Sequence, residues 1–313
     1  MKLLKPKFWD YKKPNYLSYL LFPLTLPIII KNFFSDLDIN KKNNENIKTI
    51  CIGNIYIGGT AKTPLSIKID KILSSLNFKT AIIKKFYKTQ LDEQKILGKK
   101  TKLYSHTSRK IALNRAIQDG VDVAIFDDGL QDKSINHDLT FVCFNNVSWI
   151  GNGCLIPAGP LREKIKRISR YDAIFLNGNE EDTSELKKTI KKHNLHIKIF
   201  ETYYSPTNIN KIDKTEKYII FSGIGNPDSF KKTLIKNKIN VIKEIKFPDH
   251  YQYKPKDINK IKFFAKNMNA KILTTEKDHI KLNQKNSDGI EFLEIELIIK
   301  DEGELIDFIK LNI

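Results

Sequence analysis

Short apolar runs recur along the chain and alternate with stretches in which apolar residues have helical spacing. Runs of this length bounded by Gly, Asn, Asp or Pro indicate buried strands, whereas apolar spacings of three and four indicate helices. The predicted strands are 48–58, 79–84, 121–126, 140–144, 173–176, 218–221 and 291–299, and the predicted helices are 63–76, 108–119, 183–192 and 303–311. Residues 271–278 predict a further strand that runs into a helix. This alternation predicts an α/β fold with a mostly parallel sheet and helices on both faces.

The domain organisation follows from where this alternation is interrupted. With 313 residues, the chain is long enough for two domains that each bury a core. Residues 198–216 are polar and predict an extended linker. The remaining predicted parts are an N-terminal membrane-anchoring segment at 1–35, a larger α/β domain at 36–197 and a second, smaller α/β domain at 217–313.

Residues 16–30 form the most apolar run of the chain, with lysines and aromatic residues on both sides. The run is shorter than the roughly 20 residues that span a bilayer as a straight helix, and we expect Pro23 and Pro27 to kink it. Aromatic and lysine flanks are typical of a membrane interface. We interpret the segment as an anchor or a partly inserted helix, with a buried core helix as the alternative.

A strand, a glycine turn and a helix start follow one another at residues 51–64. Glycines let backbone N–H groups curl around an anion, and a helix N-terminus adds a positive dipole. In such a loop Lys62 reaches the β- and γ-phosphates of a nucleotide, and Thr63 binds Mg²⁺. Because Tyr56 and Ala61 stand where the strict consensus has glycine, an ordinary strand–turn–helix is the alternative.

Acidic residues are expected at the same edge of the sheet as this loop. Asp127 and Asp128 directly follow a predicted strand, and Asp92 lies in the loop after another strand. Ligands of such sheets bind at the carboxyl ends of the strands, where a carboxylate is held rigidly enough to organise Mg²⁺. The alternative for Asp127 and Asp128 is a plain turn, because Asp and Gly favour turns.

Arginine is rare in this lysine-rich chain, and Arg162 ends a long loop rich in Gly and Pro at 151–163. Long loops at a catalytic edge are commonly functional. The planar guanidinium group of Arg162 is suited to stabilise charge on a transferring phosphoryl group. An ordinary connection with a surface Arg–Glu pair is the alternative.

Composition changes this picture little. The net charge of +18 suits an anionic partner, but the basic residues are nearly all lysine and are spread throughout the chain. Since no basic stretch carries the interleaved aromatic residues of an RNA-binding sheet, we predict no nucleic-acid partner. No obligate protein partner is evident. Three cysteines without C-x-x-C spacing indicate buried thiols in a reducing compartment.

A set of motifs, taken together and in order, resembles the tetraacyldisaccharide 4′-kinase family of lipid A biosynthesis, and the resemblance covers nearly the whole chain. The motifs are Phe8-Trp9, Gly53-Asn54, Gly58-Gly59-Thr60, Lys62-Thr63-Pro64, Asp92-Glu93, Asp127 to Gln131, Gly151 to Glu163, Gly223 to Pro227, Phe247 to His250 and Thr274 to Asp278. The resemblance implies a membrane-associated P-loop kinase that transfers the γ-phosphate of ATP to the 4′-hydroxyl of a lipid A disaccharide precursor. It places the enzyme at the cytoplasmic face of the bacterial inner membrane, on the phospholipid surface.

The same resemblance implies roles for individual residues. For ATP it implies Gly58, Gly59, Thr60, Ala61, Lys62 and Thr63, and for Mg²⁺ it implies Thr63, Asp127 or Asp128, with Glu93 or Glu163 as further candidates. Arg162 would stabilise charge in the transition state. Asp92 would accept the proton of the sugar hydroxyl group, with support from His250.

The chain departs from the family pattern close to this implied site. Ala61 replaces a usual Gly, 84–87 replaces Ser-Arg-Gly-Tyr, 91–94 replaces Gly-Asp-Glu-Pro, and Asp132 replaces a usual His. These departures leave open a degenerate member that binds nucleotide or lipid without efficient transfer. If the methyl group of Ala61 hinders the loop, Ala61→Gly is expected to tighten ATP binding or raise turnover.

Overall fold

The structure is a computed structural model that describes residues 5–37, 47–88, 90–132, 134–178 and 182–313. These residues form two compact units. The first unit takes its residues from Met1–Phe86, Thr101–Tyr203 and Leu297–Ile313, and the second takes them from Tyr87–Lys100 and Tyr204–Glu296.

The strands form two sheets, one in each unit. In chain order the strands are β1 (Lys48–Gly53), β2 (Thr80–Lys85), β3 (Leu103–His106), β4 (Val123–Asp127), β5 (Leu139–Asn145), β6 (Ala173–Asn177), β7 (Lys198–Pro206), β8 (Lys217–Ser222), β9 (Asn240–Lys246), β10 (Lys271–Thr275), β11 (Ile290–Leu293) and β12 (Ile295–Ile299).

The helices of the described residues complete both units. They are α1 (Tyr16–Leu21), α2 (Leu26–Leu37), α3 (Lys62–Ser75), α4 (Leu91–Lys100), α5 (Arg109–Gln118), α6 (Ser184–Lys191), α7 (Pro227–Lys236), α8 (Pro255–Asn267), α9 (Glu276–His279), α10 (Gln284–Ser287) and α11 (Glu302–Asn312).

The sheet of the first unit has the strand order β12-β7-β6-β5-β1-β4-β2-β3, and its pairs from β7 through β3 are parallel. Every residue of β4, and every residue of β1 after Lys48, is buried. Central strands of a parallel sheet are covered on both faces, which explains their continuous apolar runs. The prediction of a mostly parallel α/β fold is confirmed.

The sheet of the second unit is smaller, with the parallel order β11-β10-β8-β9. Alternate residues of β8 belong to different cores. Tyr218 and Ile220 pack in one core and Ile219 and Phe221 in the other, so this sheet is also covered on both faces.

The N-terminal segment is helical over Tyr16–Phe34, a run of 19 residues that is long and apolar enough to cross a membrane by length and composition. The 3₁₀ turn Phe22–Thr25, which contains Pro23, connects α1 to α2. Only 11% of the most apolar window of this run is buried, so the alternative of a buried core helix does not hold.

The units differ from the predicted linear boundaries in three places. The predicted linker contains β7, whose mixed burial explains its polar pattern. Helix α4 belongs to the second unit, and the C-terminal residues from Leu297 belong to the first. The predicted strand 291–299 is two strands, β11 and β12, which are separated by Glu294 and lie in different sheets.

Candidate active site

The phosphate loop joins β1 to α3 in the first unit. Gly58 and Ala61 have φ angles of 139° and 67°, so the chain takes conformations here that suit glycine. Ala61 is the N-cap of α3, and Lys62 and Thr63 therefore start the helix. The first N–H groups of a helix have no partner within it, and together with the dipole they favour an anion.

Two sets of hydrogen bonds hold this loop in shape. The buried amide of Asn54 donates to the hydroxyl group of Thr60 at 3.0 Å, across the turn. The backbone N–H of Ile57 donates to the carbonyl of Pro160 at 2.9 Å, and that of Arg162 donates to Ile55 at 2.7 Å. The loop that carries Arg162 is therefore paired with the phosphate loop.

Asp127 is the last residue of β4 and is fully buried. Its carboxylate accepts hydrogen bonds from the hydroxyl groups of Thr63 and Ser66, each at 3.2 Å, and forms a salt bridge with Lys84. Lys84 is its register partner on β2 and is 2% exposed. In the sequence Lys84 stands out only as a departure from a family motif, and no local pattern predicts this contact.

Asp128 lies beside two cations. Its Oδ1 is 3.7 Å from the Lys62 ammonium and 3.3 Å from the Arg162 guanidinium. Burial alone would raise the pKa of Asp128, but the charges of Lys62 and Arg162 outweigh it and lower the pKa. Its backbone carbonyl accepts from Arg109 at 2.6 Å, and Arg109 also pairs with Asp132 at 3.0 Å.

Glu163 is buried and is held by three neighbouring side chains. Its Oε2 accepts from the hydroxyl group of Tyr171 at 2.8 Å and from Arg167 at 3.2 Å, and its Oε1 accepts from Gln131 at 3.4 Å. Burial and the charge of Glu163 raise the pKa of Tyr171, which keeps this phenol protonated as a donor. Glu163, one of the predicted metal ligands, is thus held by hydrogen bonds within the protein.

Asp92 lies in the first turn of α4 and not in a loop as predicted, and in the second unit it contacts His250. The Nδ1 atom of His250 is 3.0 Å from both carboxylate oxygens of Asp92, and the Lys277 and Lys281 ammonium groups are 3.8 and 3.6 Å from Oδ2. Burial would raise the pKa of Asp92, but the hydrogen bond with His250 and the two lysine charges hold it well below its usual value.

Glu93, the other predicted metal candidate, belongs to this second cluster. Its Oε1 is 3.6 Å from His250 Nε2 and 3.5 Å from the Lys277 ammonium. The motif Thr274 to Asp278 contains Lys277, but the sequence alone assigns this lysine no role.

The oxygen donors of the first unit fit a magnesium ion. Among the described residues, no group of three or more His, Cys, Asp or Glu side chains forms a ready metal cluster. Kinase sites, however, hold Mg²⁺ with one or two carboxylates together with substrate phosphates and water. The Thr63 hydroxyl and the carboxylates of Asp127 and Asp128 are donors of that kind.

The fold and the site define the class of this chain as a P-loop α/β protein. The defining features are a buried parallel strand, a loop with residues of positive φ, a lysine at a helix N-terminus and an aspartate at the end of a strand. The sequence model of the tetraacyldisaccharide-1-P 4′-kinase family matches residues 17–108 and 92–313. The chain belongs to that family.

Named relatives agree with this assignment. The chain is 50% identical to a tetraacyldisaccharide 4′-kinase of Pelagibacter ubique (strain HTCC1062), with 100% of this chain and 99% of the relative covered. It is 34% identical to the protein of that name from Rickettsia akari (strain Hartford), with 97% and 96% covered. The fold also matches a crystal structure of LpxK from Aquifex aeolicus, at a TM-score of 0.70 and 22% identity over 94% of this chain and 99% of that one.

Proposed function

We propose that the chain transfers the γ-phosphate of ATP to the 4′-hydroxyl of the tetraacyldisaccharide 1-phosphate precursor of lipid A. The observation that carries the proposal is the contact of Thr63, at the start of α3, with Asp127, at the end of β4, in a chain of this family. The Aquifex aeolicus LpxK structure is described as a complex with ATP, which supports ATP as the cofactor.

The first unit would bind the nucleotide. Residues 58–63 would surround the phosphates, and the cationic groups of Lys62 and Arg162, which converge on Asp128, would face their negative charge. Thr63 would hold Mg²⁺ with Asp127 or Asp128, and the bound ion would neutralise charge on the phosphate oxygens. Arg162 would stabilise the charge that develops during transfer.

The second unit would supply the base for the sugar hydroxyl group. Asp92 would accept its proton, and His250, whose Nδ1 is 3.0 Å from both Asp92 oxygens, would orient the carboxylate. The lowered pKa of Asp92 makes it ionised at neutral pH but weakly basic. It would therefore act mainly by orienting the hydroxyl group and by accepting its proton late in the transfer.

The N-terminal helical run would attach the enzyme to the phospholipid surface at the cytoplasmic face of the inner membrane. The support is its exposed apolar side chains, which include Leu20 and Phe33 at 72% and 61% exposure. Such an attachment would keep the enzyme where its acylated substrate lies, and the net positive charge would favour anionic lipid.

A kinase assay with the precursor, ATP and Mg²⁺ tests this proposal. Wild type and the control Lys110→Ala, which changes an exposed lysine of α5, are expected to form product. Lys62→Ala and Asp92→Ala are each expected to lower kcat by about 100-fold or more, because each removes a group that acts in the transfer. Absence of product from wild type, under conditions where the Pelagibacter ubique relative is active, would contradict transfer. Nucleotide binding without product would favour a degenerate member.

A further inference from the structure

The N-terminal helical run turns polar side chains, together with Ile28 and Ile29, toward the protein and most of its large apolar side chains outward. Ser18, Thr25 and Asn32 recur every seven residues and so share one face of the helix. Ser18 and Thr25 are each 1% exposed, whereas large apolar side chains of the same run are exposed. Buried polar side chains need hydrogen-bond partners, so this arrangement indicates that the inward face contacts specific polar groups of the same unit.

The inward face contacts the loop 151–163 of the same unit. The hydroxyl group of Ser18 accepts from the amide of Asn152 at 2.9 Å. Just before the run, the indole N–H of Trp9 donates to the carbonyl of Pro157 at 3.0 Å. Gly151 has a φ of 56°, and a Cβ atom there would lie 2.1 Å from the Trp9 carbonyl oxygen, so only glycine allows this approach.

At its far end the same face contacts the catalytic end of the loop. The side-chain amide of Asn32 donates to the backbone carbonyl of Arg162 at 3.1 Å. The backbone carbonyl of Asn32 accepts from Arg167 at 3.2 Å, and Arg167 pairs with Glu163 at 3.2 Å. Asn32 is thus linked to Arg162 directly and to Glu163 through Arg167.

We propose that Asn32 is a positioning residue for phosphoryl transfer. By fixing the backbone carbonyl of Arg162, it sets where the guanidinium group lies beside Asp128. The helix that faces lipid is then also part of the scaffold of the nucleotide site. This inference rests on the proposed role of Arg162, and small displacements of such a group cost much of its catalytic effect.

Asn32→Ala tests the inference in the full-length protein. The substitution favours the helix, and the bond from Arg167 to the backbone at 32 remains, so we expect the fold and the vesicle-bound fraction to be unchanged. We expect kcat to fall about five- to tenfold, as for the loss of one hydrogen bond, with the KM for ATP within about twofold of wild type. Asn267→Ala, at an exposed helical asparagine of the second unit, is the matched control and should change nothing.

Two further variants separate positioning from simple packing. Asn32→Asp keeps the shape and removes the donor, so it should lose at least as much kcat as Asn32→Ala; full activity of Asn32→Asp would overturn the inference. In an Arg162→Ala background, Asn32→Ala should have no further effect on kcat. An undiminished further loss would also overturn it, whereas wild-type kcat in Arg162→Ala alone would instead refute the proposed role of Arg162.

Discussion

The ion pair between Lys84 and Asp127 makes a sharp test of how the nucleotide site is built. The side chains of Lys84 and Asp127 are only 3% and 0% exposed, and they are register partners on adjacent strands. Replacing Lys84 by Met keeps the length of the side chain and removes its charge. The carboxylate of Asp127 is then left buried without its ionic partner.

The expected loss of stability can be worked from these contacts. Removing one partner of a buried ion pair costs about 3–5 kcal/mol. The hydroxyl groups of Thr63 and Ser66 still donate to Asp127, so we expect a value near the lower limit, about 3 kcal/mol. With a urea m-value of about 2–3 kcal/mol/M, this moves the unfolding midpoint down by roughly 1–1.5 M.

Tryptophan fluorescence in urea measures this loss of stability in the first unit, which contains the ion pair. The chain has 2 tryptophans, Trp9 and Trp149, and both lie in the first unit. Lys48→Met, at an exposed lysine at the start of β1, is the control and should change the free energy of unfolding by no more than about 0.5 kcal/mol. Adding Asp127→Asn to Lys84→Met should restore most of the lost stability, because the unpaired charge is removed.

A midpoint for Lys84→Met within about 0.3 M of wild type would refute this reasoning, since it corresponds to a loss below 1 kcal/mol. The Asp127 carboxylate would then be adequately stabilised by neutral donors alone. Failure of Asp127→Asn to restore stability would show instead that the lysine matters through its packing.

Three further outcomes are expected. Ala61→Gly should stabilise the first unit by up to about 1 kcal/mol in urea unfolding, because glycine takes the φ of 67° without strain. The same change should tighten ATP binding or raise turnover by no more than about fivefold. If stability, ATP affinity and turnover all stay unchanged, the loop has adapted to alanine. Because the pKa of Asp92 is lower in the folded than in the unfolded chain, its ionisation stabilises the fold above about pH 4, and this stabilisation is lost as the pH falls further. In circular dichroism melts, wild type should therefore lose more stability than Asp92→Asn between pH 7 and pH 3. Equal losses would contradict the lowered pKa of Asp92. Phe33→Ser with Phe34→Ser, at side chains 61% and 63% exposed, should lower the fraction of protein that floats with anionic vesicles; unchanged flotation would remove α2 from the membrane contact.

The local patterns of the sequence were sufficient for the central strands of the main sheet, but not for its edge strand β3. Strands such as β1 and β4 are buried on both faces, so their composition alone marks them. The turn after β1 could be predicted because glycine and the helix start are adjacent in sequence. The pattern failed for β7, whose residues are only partly buried and resemble a linker.

The parts of the site that could not be predicted depend on contacts between residues that are far apart in the sequence. The partnership of Asp92 and His250 joins residues 158 positions apart and came only from the family resemblance; its catalytic role stays a prediction. The sequence does not predict the contact of Lys84 with Asp127, because its partner on β4 depends on the register of the sheet. Asn32 lies just after the apolar run 16–30, and no local pattern of the sequence relates it to Arg162.

The most direct test of the central claim is to locate the new phosphate on the product. The purified protein is incubated with tetraacyldisaccharide 1-phosphate, Mg²⁺ and γ-labelled ATP, and the lipid is analysed by tandem mass spectrometry and ³¹P NMR. We expect one labelled phosphate on the 4′-oxygen with wild type and almost none with Asp92→Asn. A labelled phosphate at another position, or equal product from Asp92→Asn, would contradict the account.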